Sequence, residues 1–73
     1  MKMIPTLAMV ALTEDLPEHQ LTRGQIGTVV EHLERDGERA LLVEFSDEGG
    51  EAYSVAVVRP DQLMALHRKI QAA

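Results

Sequence analysis

The sequence contains no cysteine and no tryptophan, and its only other aromatic residues are Phe45 and Tyr53. Without thiols, disulfide staples, thiolate metal sites and cysteine nucleophiles are excluded. Small secreted domains usually depend on such staples, so their absence predicts a reducing, cytoplasmic setting. With two aromatic rings the core has to be built from Val, Leu, Ile and Met, and there is no aromatic platform on which nucleic-acid bases could stack. Positive charge is scarce as well: seven Lys and Arg face twelve Asp and Glu, a formal net charge of −5. Nucleic-acid binding draws most of its affinity from neutralised phosphates. The balance therefore argues against a nucleic-acid ligand and favours a basic partner.

Long apolar runs are missing too. Residues 1–12 hold one lysine followed by apolar side chains, but Pro5 interrupts them, and Glu14 and Asp15 stand where a signal peptide would place small residues. The run falls far short of the roughly 20 residues that span a bilayer. It reads as a first strand. At 73 residues the chain accommodates a single domain, with its core over about 7–66 and a tail over 67–73. Such a chain buries only roughly 60% of the surface its unfolded form exposes. Little wall is left for a deep ligand cavity, typically roughly 300 Å³ or more, so neither an enzyme nor a bound cofactor is expected.

What is present reads as β-structure. Four apolar runs, broken by turn residues, follow one another at the spacing of a small all-β fold. The first is 7–12. A long loop, 13–25, holds Pro17 and Gly24. Gly24 and Gly27 then lead into the β-branched run 27–33, which reads as a tight turn into a curved strand. Asp36-Gly37 is a hairpin signal. In the third run, Leu41, Val43 and Phe45 share one face by the two-residue period, with Ala40, Leu42 and Glu44 opposite. Residues 46–50 form a second hairpin turn. The fourth run, 52–58, divides into Tyr53, Val55 and Val57 on the face assigned to the core and Ser54, Ala56 and Val58 on the other.

Pro60 ends that run, because proline cannot donate to a sheet ladder, and 59–62 predicts a single 3₁₀ turn. Residues 63–66 predict a short last strand pairing with the first. Leu63, Leu66, His67 and Ile70 also fall at helical spacing, so the tail is expected to be frayed or helical. The prediction is an all-β, SH3-like barrel of about five strands.

With those residues in place the chain resembles a group of small bacterial proteins, frequent in cyanobacteria, catalogued as a domain of unknown function. The residues carrying the resemblance are Val10-Ala11-Leu12, Glu14-Asp15-Leu16-Pro17-Glu18-His19, Leu21, Gly24, Gly27-Thr28-Val29-Val30-Glu31, Val43-Glu44-Phe45 and Asp61-Gln62-Leu63. The resemblance implies an SH3-like barrel. Because some members are encoded beside toxins or nucleases, it also implies an immunity or antitoxin role.

No constellation reads as catalytic. Glu14, Asp15, Glu18 and His19 form the densest polar cluster, and a carboxylate beside a histidine can do acid–base work. They occupy a loop without a neighbouring nucleophile, however, and loop structure or partner contact explains them better. His19, His32 and His67 lack the close pairing of zinc motifs. Asp47, Glu48 and Glu51 surround glycines but lack calcium-loop spacing, and Gly24 and Gly27 lack the third glycine, lysine and helix of a phosphate loop. Arg39 is expected to pair across its hairpin with Glu31 or Glu44.

A non-enzymatic protein–protein interaction module is the function these features support. The predicted contact residues are Asp15, Glu18, His19 and Arg23 in the first loop, Asp47, Glu48 and Glu51 at the second hairpin tip, and an apolar patch of Leu42, Ala56 and Val58. The partner predicted is a basic protein such as a toxin or nuclease: the acidic residues would mimic phosphate and block its site. Edge strands of a small open barrel can accept another chain by strand addition, and homodimerisation is a further expectation because a core this small gains from extra burial. The alternatives are a nucleic-acid-binding barrel and an accessory subunit of a larger enzyme.

Overall fold

Asp36 and Gly37 both take positive φ, 53° and 81°, as a two-residue type I′ hairpin turn requires. They join β2 (Ile26–Arg35) to β3 (Glu38–Ser46). The computed structural model describes residues 4–46 and 53–66. The tip with Asp47, Glu48 and Glu51, and the tail with His67, lie outside the described residues.

The remaining strands are β1 (Met9–Leu12), β4 (Tyr53–Val58) and β5 (Leu63–Ala65). Five antiparallel strands form one open sheet in the order β4-β3-β2-β1-β5, giving the small barrel-like fold that the sequence predicts. β5 pairs with β1, Leu12 opposite Leu63. Residues 63–65 are thus strand rather than helix, and Pro60–Gln62 before them is the predicted 3₁₀ turn. The first run is shorter than its composition suggests. Ala8 donates its N–H to Pro5 O, and Leu7 has φ 73°, so the chain turns there and the strand begins at Met9.

Registration decides which side chains meet. Gly27 lies opposite Phe45 and Val29 opposite Val43; then Val30 is passed over in a bulge and Glu31 faces Leu42. The bulge bends β2 and reverses its parity. Beyond β3, Leu41 pairs with Val58, Val43 with Ala56 and Phe45 with Ser54. The core on that side is therefore Val29, Leu41, Val43, Phe45, Ala56 and Val58, joined by Val10, Leu12, Leu16, Leu21 and Leu63.

Ala56 and Val58 are consequently core residues, 3% and 0% exposed, while Val55 and Val57 are 53% and 55% exposed. This corrects the sequence assignment of β4. Both of its faces are apolar, so a period of two cannot choose between them, and the choice is made by pairing with β3. Arg39 is also corrected: it lies opposite Glu34, not Glu31 or Glu44.

Gly24 and Gly27 serve different ends. Gly24 has φ 89° with open space around it and donates its N–H to Leu12 O, turning the loop into β2. Gly27 is a close-approach residue, buried beneath the ring of Phe45.

Candidate partner-binding surface

Leu16 and Leu21 exchange two backbone hydrogen bonds, of 2.9 and 3.1 Å, and both side chains are buried in the core. Between them Pro17–His19 forms a 3₁₀ turn closed by Gln20, whose φ of 58° lets its N–H reach Pro17 O. The loop is thus a miniature hairpin plugged into the core by two leucines. Its exposed tip carries Glu18 and His19.

Asp15 and Arg23 flank the plug. The Arg23 N–H donates to Asp15 Oδ1 at 2.8 Å, so the carboxylate clamps the two arms of the loop together. Asp15→Ala is expected to cost about 1 kcal/mol in urea unfolding. Glu18→Ala, at an exposed tip position, should stay within about 0.5 kcal/mol. Equal losses would show that the clamp does not hold the loop.

The base of the loop is tied to the second 3₁₀ turn. Thr13 N–H donates to Gln62 O at 2.9 Å, and Gln62 Nε2 donates to Glu14 Oε2 at 3.4 Å. Gln62 is buried, and its Oε1 accepts the Arg59 N–H at 3.0 Å. Both ends of its amide are therefore satisfied, as burial of a polar group demands. Nothing in the sequence pattern singled out Gln62 for this role.

The predicted apolar patch changes membership. Leu42 stays on the outer sheet face, half-buried, but its cross-strand neighbour is Val57. Glu31 lies opposite Leu42 on the other side, and Glu44 opposite Val55. This face therefore presents Leu42, Val55 and Val57 between two exposed carboxylates. Leu33 and Ala40, paired with each other, continue it toward the Asp36-Gly37 turn.

There an open groove runs between the end of the β2–β3 hairpin and the Pro60 turn. Leu33, Ala40 and Val57 contribute its apolar lining, and Arg35, Arg39 and Arg59 its positive charge. Glu34, Asp36, Glu38 and Asp61 line the same groove, so cations and carboxylates are nearly balanced. Arg59 is bound to Asp61 at 3.1 Å, the one ion pair among the described residues. The arginines of this groove are scattered along the sequence, where they form no recognisable stripe, and only hairpin registration brings Arg35 and Arg39 near Arg59.

Among the described residues no three His, Asp or Glu side chains converge as metal donors. His19 is exposed at the loop tip and His32 is half-buried in β2, opposite Leu41. No helix among the described residues is long and apolar enough to cross a membrane. A family model described as Domain of unknown function (DUF4926) matches residues 6–65. The chain belongs to this family. The matched segment spans all five strands of the DUF4926 domain, both 3₁₀ turns and the plugged loop. Neither a curated protein nor a solved structure matches the chain.

Proposed function

We propose that this DUF4926 domain is a non-enzymatic protein–protein interaction module whose partner is a basic protein. The observation that carries the reading is the outer face of β2, β3 and β4. Val55 and Val57 lie there 53% and 55% exposed, beside half-buried Leu42 and flanked by Glu31 and Glu44. Exposed apolar side chains rimmed by charge are the composition of a recognition surface. Carboxylates at the rim favour cationic partners and reject acidic ones. Asp15, Glu18 and His19, exposed on the plugged loop, are a second candidate contact region. An immunity- or antitoxin-like role, in which carboxylates occupy the phosphate site of a toxin or nuclease, is the form of this reading that the charge supports.

A second reading, nucleic-acid binding, rests on Arg35, Arg39 and Arg59 lining one groove. The four carboxylates there and the overall charge of −5 oppose it. Affinity purification from the native host, with wild type and the E31K/E44K variant in parallel, separates the two. The expected result is a basic protein retained by wild type, with affinity at least about tenfold weaker for the variant. Recovery of nucleic acid instead, with gel retardation that falls steeply with salt, would replace the first reading with the second.

A further inference from the structure

Among the described residues β4 has a neighbour on one side only, and its six residues carry none of the devices that keep sheet edges apart. Natural edges are blunted by charge, proline, bulges or brevity. The opposite edge, β5, is three residues long. β4 has six residues, Tyr53-Ser54-Val55-Ala56-Val57-Val58, with no charge, no proline, no glycine and an unbroken register against β3.

Which backbone groups it presents follows from the ladder. Val29 sends both bonding groups away from β3: its N–H donates to Ala8 O and its O accepts the Leu7 N–H. Bonding alternates along an antiparallel strand, so Val43, opposite Val29, bonds to Ala56 on its other side. Val55 and Val57 then direct their N–H and C=O outward. Their side chains are half-exposed on the outer face.

We infer that β4 is a self-pairing edge through which two copies of the chain join into one continuous sheet about a two-fold axis. With Ala56 opposite Ala56 of the second copy, each Val55 meets a Val57, and both exchange their free N–H and C=O groups. This register keeps inner-face residues opposite inner-face residues and outer opposite outer, as the pleat requires. The occupant is a second copy because the strand complements itself. In a chain of net charge −5, the six residues of β4 themselves bring no like charges together.

The test is sedimentation combined with amide exchange. Wild type is expected to dimerise below about 1 mM. Exchange at Val55 and Val57 should slow as concentration rises, while Ala56 is already protected in the monomer. Val55→Pro removes one outward donor per copy at a position where an edge strand accepts proline, and should weaken dimerisation at least about tenfold. If that variant does not fold, Val55→Lys, which places like charges across the axis, should do the same. E31K/E44K should leave the dimer intact, which keeps this result separate from the partner-binding test. A wild type that stays monomeric, a dimer in which Val55 and Val57 remain unprotected, or a folded Val55 variant that dimerises normally would overturn the inference.

Discussion

Phe45→Ala is expected to lower stability by about 3–5 kcal/mol, the usual cost of truncating a buried ring. The side chain is 1% exposed and is the largest of those fully buried. It belongs to the same buried cluster as Val10, Val29, Val43 and Val58, and that cluster holds no second aromatic side chain among the described residues to collapse into the space. At roughly 0.05–0.15 kcal/mol per residue, a chain of this length holds about 4–11 kcal/mol in total. The substitution therefore removes about a quarter or more of the stability, and most or all of it at the lower end. Urea unfolding followed by circular dichroism measures the loss. A decrease under about 1.5 kcal/mol would show that the ring is not the centre of the core, or that the β-branched residues close over the cavity.

Gly27→Ala is the second large effect, and it works by overfilling. A Cβ at Gly27 would lie 2.7 Å from Phe45 Cδ1, 2.7 Å from Val43 Cγ1 and 2.9 Å from the Glu44 backbone oxygen. The two side chains are buried, and the carbonyl belongs to the strand paired with β2, so none of the three yields easily. The expected cost is about 1–3 kcal/mol. The double variant G27A/V43A should lose less than the sum of the single losses, since shortening Val43 vacates one of the three contacts. Additive losses would mean that the added methyl group is accommodated elsewhere, against this geometry.

Much of the fold was legible in the residues, for identifiable reasons. Asp36-Gly37 specifies a turn whose backbone few other dipeptides adopt, so the β2–β3 hairpin could be placed closely. Leu41, Val43 and Phe45 alternate with Glu44, which fixed the inner face of β3. β4 offered no such contrast, since valines stand at both parities, and its inner and outer faces were exchanged. The bulge at Val30 was equally silent, because a β-branched residue suits either a regular or a bulged position. The candidate surface depended on those two points. Once β4 is set the other way, Leu42 keeps its place while Val55 and Val57 replace Ala56 and Val58. In the loop the acidic residues were recognisable, but the Asp15 clamp and the Leu16–Leu21 plug connect residues through space in a way that composition does not express.

The plug has a consequence for how this molecule can change. Residues 17–20 project beyond a pair of leucines that seal the barrel beneath them, so the four positions are mechanically insulated from the interior. A stretch held in this way can be rewritten, lengthened or exchanged for a foreign peptide with little penalty to the body that carries it. Recognition can then diversify at the tip while the scaffold stays constant.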